Sequence, residues 1–164
     1  SLDMGIFYKG FNVDSALTVP VLGGLTQGQW SKNNAKLSKL IETARAALGA
    51  GIKQAKIGNR LGEVSNAIQK VVEGAGFNVI REMVGHGIGR QLHEEPQIPN
   101  YGCLDEGPVL EEGMTLAIEP MVSAGDWHLV QDGLTYKTKD GSYAAHFEHT
   151  VAITKKGPVV LTLL

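Results

Sequence analysis

The chain has 164 residues with 15 basic and 17 acidic side chains, a formal charge of -2, and 43% hydrophobic against 20% charged residues. These are values of one globular domain with a core of its own, and they offer no electrostatic case for nucleic acid or an anionic membrane as partner. A single cysteine excludes an internal disulfide and a sulfur-rich zinc site; no apolar run approaches the roughly 18 residues that span a bilayer and no signal peptide is visible, so a reducing, cytoplasmic setting is the expectation.

Residues 1–8 alternate, with Leu2, Met4, Ile6 and Tyr8 on one side and Asp3, Gly5 and Phe7 on the other. The alternation starts at once, with no initiator methionine and no lead-in, and reads as a domain cut at its midpoint or a fragment. Lys9-Gly10 is a turn, and residues 11–21 resume the extended pattern. A two-residue hairpin loop would pair Tyr8 with Phe11, set Asp3 opposite Ala16 and place Asp14 diagonal to Asp3 on the same face. Two carboxylates so placed repel unless a cation sits between them; on the hairpin alone, that reading and a pair of solvated acids both stay open.

Residues 23–29 read as a loop. The spacing of Leu37, Leu40, Ile41, Ala44 and Leu48 predicts a helix over 32–48, stopped by Gly49 and Gly51. Leu61, Val64, Ile68, Val71 and Val72 predict a second over 60–74, ended by Gly74 and Gly76. Both stripes read as core. Phe77 to Ile80 begins a strand that leads into Gly85-His86-Gly87-Ile88-Gly89-Arg90-Gln91-Leu92-His93-Glu94-Glu95-Pro96, a glycine-framed loop that lets backbone approach a ligand. Residues 97–112 read as an irregular loop, with Cys103 as a small buried hydrophobe.

Met114 to Val122 reads as a buried strand, in which Glu119 is costly unless paired or metal-bound, and Pro120 puts the strand at an edge or bends it. Residues 128–138 and 143–154 read as two strands joined by Lys139-Asp140-Gly141, the second carrying Glu148 between His146 and His149. His128 and Lys155-Lys156 read as solvated. Lys155 to Pro158 is a turn, and Val159 to Leu164 closes the chain.

One buried strand acid could be half of an ion pair, with Arg60, Arg81 or Arg90 as partner. Two such acids, two hairpin carboxylates and a framed histidine together suit a pair of first-row divalent ions with bridging carboxylates. Such a pair activates water and polarises a carbonyl, the chemistry of amide hydrolysis.

In these segments the sequence resembles type I methionine aminopeptidase. Gly85-His86-Gly87-Ile88-Gly89-Arg90, His93-Glu94-Glu95-Pro96, Ile118-Glu119-Pro120 and Phe147-Glu148-His149-Thr150 carry the resemblance, with Leu2-Asp3-Met4-Gly5 and Val13-Asp14-Ser15 as the two aspartate segments. The match runs in the family's order from the first residue to about Leu163. It implies an α+β pita-bread fold, a curved antiparallel sheet backed by helices, here largely the C-terminal half, as a single catalytic domain over 1–164 that is incomplete at its N-terminus. The N-terminal half supplies another histidine near the substrate and part of the methionine pocket.

The resemblance implies Asp3, Asp14, His86, Glu119 and Glu148 as ligands of two divalent ions (Mn, Fe, Co or Zn). It implies His93 against the scissile amide, Glu119 also handling the proton of the attacking water, and Leu92 and Leu134 with His93 at the substrate. The implied reaction is removal of the initiator methionine from nascent polypeptides with a small second residue, with no nucleic-acid or membrane partner. Departures are Leu134 where many members have tryptophan, Leu92 where many have phenylalanine, His146 where glutamine is common, and a longer segment from Gly23 to Asn33. An Xaa-Pro-type aminopeptidase of the same fold, or a non-catalytic pita-bread protein that binds a partner, are the alternative readings.

Overall fold

The structure is a computed structural model that describes residues 1–133 and 135–163. Strands β1 (Leu2–Tyr8) and β2 (Phe11–Leu17) form the expected hairpin, with Tyr8 opposite Phe11, Asp3 opposite Ala16 and Gly5 opposite Asp14. Lys9 and Gly10 both have positive φ, 49° and 89°, as a type I′ turn requires.

Three helices follow: α1 (Gln27–Asn33), α2 (Ala35–Gln54) and α3 (Leu61–Gly74). The helix expected over 32–48 is thus two helices. Thr26 and Gln29 close a capping box that starts α1 inside the expected loop. Helix α2 runs on through both supposed stop glycines because it crosses α3 there: a Cβ on Gly51 would lie 2.9 Å from Ile68. Helix α3 matches expectation, and Val64, Ile68 and Val72 are wholly buried.

The remaining strands are β3 (Asn78–Val79), β4 (Gly85–Gly87), β5 (Glu94–Ile98), β6 (Thr115–Ile118), β7 (Met121–Ser123), β8 (Leu129–Asp132), β9 (Thr135–Thr138), β10 (Ala144–His146), β11 (Glu148–Thr154) and β12 (Gly157–Val160). Among the described residues they form a seven-stranded sheet in the order β1-β2-β11-β6-β4-β5 with β12 on β11, a smaller sheet β10-β7-β3, and the ribbon β8-β9. All pairings are antiparallel.

Two long runs are each divided between sheets. The run through Glu119 breaks at Glu119-Pro120 into β6 and β7, and the run through Glu148 breaks at Phe147 into β10 and β11. The two runs pair on both sides of the breaks, as β6 with β11 and as β7 with β10. Pro120, which has no N–H to donate, marks one seam, as a bend rather than an edge. Helix α2 packs across β6, β7, β10 and β11, and Leu116, Ile118, Val151 and Ile153 fill the space beneath it. Burial of each such side chain stabilises the fold by roughly 1.5–3 kcal/mol.

Residues 128–138 form a hairpin rather than one strand. Cys103 is exposed, not buried. Its loop is pinned by polar groups, with Cys103 N donating to Glu106 and Gly62 leaving room for the Cys103 carbonyl, which a Cβ would meet at 2.0 Å.

Candidate metal centre

His86 sits in the middle of β4, not in a loop. The flanking glycines are demanded by neighbouring strands rather than by a ligand. A Cβ on Gly85 would lie 2.4 Å from the Ala117 carbonyl, and one on Gly87 2.2 Å from the Glu95 carbonyl. His86 Nδ1 lies 2.8 Å from the Gly87 carbonyl. That contact selects the tautomer with the proton on Nδ1 and leaves Nε2 bare toward the site, as a metal-binding imidazole requires.

Around Nε2 the acids converge. Asp14, His86 and Glu148, all buried, each offer a ligand atom within 4.8 Å of the others. Glu119 Oε1 lies 3.6 Å from His86 Nε2. Asp3 is exposed at the edge of the same cavity of about 690 Å³, which is also lined by His93, Glu119 and Glu148. His93 stands at its mouth with its ring centroid 4.3 Å from that of His86, at 64°.

Of the two glutamates expected inside strands, Glu148 is in one and Glu119 is not. Glu119 is in the seam between β6 and β7, and Glu148 is the first residue of β11, just past the other seam. The backbone irregularities there are met by side chains. Thr150 Oγ1 accepts from Asp14 N and donates to Asp14 O, both at 2.8 Å, replacing two ladder bonds where β2 parts from β11. Thr18 Oγ1 does the same for His146, at 2.9 Å each way. Asn100, fully buried, donates to the Glu119 carbonyl at 3.1 Å. The sequence reading missed all three; a buried hydroxyl or amide whose partner is backbone carries no spacing signal.

The electrostatics are those of crowded acids with only imidazoles beside them among the described residues. Burial pushes the Glu148 carboxyl up to about 9, with Glu119, Asp14 and Asp3 adding repulsion. Asp14 is raised as well, by burial and then by Asp3, the repulsion foreseen for the hairpin face. Among the described residues, no lysine or arginine forms an ion pair with Asp3, Asp14, Glu119 or Glu148. Arg81 lies over the Tyr101 and Trp127 rings, and Arg60 donates to the Gly107 carbonyl. The ion-pair alternative therefore finds no partner, and an oxygen-rich donor set with one bare imidazole fits divalent first-row cations.

The other expected residues are less central. Leu92 packs over the hairpin, its Cδ1 3.3 Å from where a Cβ on Gly5 would be. Leu134 lies outside the described residues. His149 faces away from the cavity, against Thr162 Oγ1 at 2.9 Å. His128 is not simply solvated: it stacks on Trp127 and pairs with Asp126 at 2.8 Å.

Buried acids and a histidine converge near the seams of an antiparallel sheet backed by helices, the donor set of a candidate metal centre. Residues 1–155 match the model of metallopeptidase family M24, and the chain belongs to that family. It is 47% identical over 164 residues to methionine aminopeptidase 1 of Bacillus subtilis, covering 99% of this chain and 62% of that protein. The crystal structure of methionine aminopeptidase from Thermotoga maritima superposes with a TM-score of 0.89 at 51% identity, over 99% of this chain and 62% of that one. Prolidase from Pyrococcus furiosus superposes with a TM-score of 0.71 at 26% identity, over 99% and 40%. The fold is thus the α+β pita-bread fold, and the chain spans somewhat under two thirds of the methionine aminopeptidases it resembles. Among the described residues no helix is long and apolar enough to cross a membrane.

Proposed function

We propose that the protein is a metal-dependent aminopeptidase that removes the initiator methionine from nascent polypeptides in the cytoplasm, with Asp3, Asp14, His86, Glu119 and Glu148 holding two divalent ions. The observation that carries the reading is the convergence of Asp14, His86, Glu119 and Glu148 in one open cavity with no lysine or arginine partner among the described residues. Likeness to methionine aminopeptidases at 47% and 51% identity, against 26% for a prolidase, favours methionine over Xaa-Pro specificity.

When bound, the ions would supply a water nucleophile at neutral pH and polarise the amide carbonyl. The chain's own residues do the rest. Glu119, on the wall of the cavity beside His86, takes a proton from that water. His93, exposed beside His86, donates to the carbonyl oxygen as charge develops on it. Met83, Leu129 and Tyr136 give the cavity an apolar wall suited to an unbranched thioether.

The test is methionine release from a Met-Gly peptide by the 164-residue chain with Mn²⁺ or Co²⁺ and a chelator control, beside an Xaa-Pro peptide. Metal-dependent release from the first alone is the expected result; release from the second alone would transfer the protein to the rival specificity. Glu119→Gln is expected to abolish turnover with the fold intact by circular dichroism, and normal turnover in that variant would remove Glu119 from the mechanism.

A further inference from the structure

The Glu119 carboxylate is flanked by two imidazoles, and only one has been accounted for. Oε1 faces His86 Nε2 at 3.6 Å, on the side of Asp14 and Glu148. Oε2 faces His146 Nε2 at 3.4 Å. The His146 side chain is only 16% exposed, and its Nε2 is a buried atom with no hydrogen-bond partner. A buried nitrogen so left is costly, and the nearest group able to satisfy it is the carboxylate it already faces. The backbone of His146 has little freedom: Thr18 Oγ1 clasps both its N–H and its carbonyl, and β10 pairs it with Met121, two residues beyond Glu119. Around the ring, Ile80, Met121, Leu129 and Ala145 line much of a cavity of about 220 Å³ that Asp3 and Thr138 also reach, and a hydrogen bond to a carboxylate is strong where apolar side chains displace water.

We propose that His146 is a positioning residue of the metal centre: its Nε2–H donates to Oε2 of Glu119 and fixes the rotation of the carboxylate, so that Oε1 is presented beside His86 to a divalent cation. Glu119 has no other side-chain partner among the described residues besides these two rings. Without His146 the carboxylate turns freely about its last torsion, and each ion that binds must first stop that rotation. The inference rests on the metal-centre reading above, and it concerns binding rather than turnover.

The experiment is a calorimetric titration of Mn²⁺ into the chelator-treated chain as wild type, His146→Gln, His146→Ala and His146→Leu, each checked for a cooperative melt. Leucine fills the space without a donor, and serves if the alanine variant fails to fold. Loss of an oriented neighbour of a ligand costs about ten- to a hundredfold in metal affinity, which is the weakening expected for alanine and leucine. Glutamine, whose amide N–H still reaches Oε2, is expected to stay within about threefold of wild type, a rescue that a purely structural role would not show. The number of imidazole nitrogens coupled to bound Mn²⁺ in electron spin-echo spectra should be the same in wild type and glutamine variant. Wild-type affinity in the alanine or leucine variant would overturn the proposal. So would a glutamine variant as weak as alanine, and a lost nitrogen there would make His146 a ligand instead. Failure of the wild type to bind Mn²⁺ at all would overturn the metal centre itself, a distinct result.

Discussion

The large sheet has two unlike ends, although one site draws on both. Toward β11 and β6 it lies under α2, and Val151, Leu116 and Ile118 are wholly buried. Toward β1 it has no helix behind it, and every residue of β1 is exposed, with Leu2, Met4, Ile6 and Tyr8 all more than half accessible on the face that further along the sheet is core. The packed end supplies His86, Glu119 and Glu148; the bare end supplies Asp3 and, from β2, Asp14. Stability therefore comes mainly from the packed end, whereas the candidate metal centre draws on both. The packed end tolerates the electrostatic strain of crowded acids because its apolar burial is large, and the bare end contributes donors without contributing much core.

The largest test of that division is the pH response of the metal-free chain. Glu148 has its folded-state pKa raised from 4.5 to about 9, so the folded state holds a proton that the unfolded state has released between those values. Stability is then fullest below about pH 4.5 as far as this group is concerned, and falls as pH rises toward 9. Melting temperatures in chelator should drop from pH 6 to 9 and recover with Mn²⁺; a flat profile would mean the acids carry no such strain. Next, Ile68→Ala, in the wholly buried face of α3, should cost about 2–5 kcal/mol in urea unfolding. Thr150→Val removes the hydroxyl that bridges Asp14 N and O, and should cost about 1–3 kcal/mol. Its second readout is weaker Mn²⁺ binding, and unchanged binding would detach Asp14 from the centre. Ile6→Ala, the same residue type as Ile68 but on β1, should change stability by less than about 0.5 kcal/mol. A cost matching that of Ile68 would show that the bare face is covered in solution.

Much of this was legible in the residues themselves. The hairpin register followed from Lys9-Gly10 alone, since a two-residue turn leaves a single pairing, and α3 followed from its apolar stripe. Acids within apolar runs announced Glu119 and Glu148, because such residues are stable only with a partner. The seams were less visible. Pro120 signalled one, but nothing in Ala145-His146-Phe147-Glu148 distinguishes a strand that changes sheet from one that continues. Gly51 misled for a physical reason: a glycine that ends a helix and a glycine that admits a crossing helix look alike until the neighbour is known, whereas nothing lies within 4 Å of a Cβ on Gly49. The glycines around His86 misled in the same way. Cys103 misled because cysteine is most often buried, whereas its loop is held by backbone and carboxylate contacts that need no side chain of its own.

The clasp between Thr150 and Asp14 joins residues 136 positions apart. During synthesis the β1–β2 hairpin emerges ahead of the residues proposed to join its two aspartates. His86 and Glu119 follow, and β11, the strand that seats the hairpin, comes after both. The donor set proposed above is therefore complete only once translation has passed Thr150, which couples metal loading to the seating of the hairpin. Until then the edge of β2 that pairs with β11 is open.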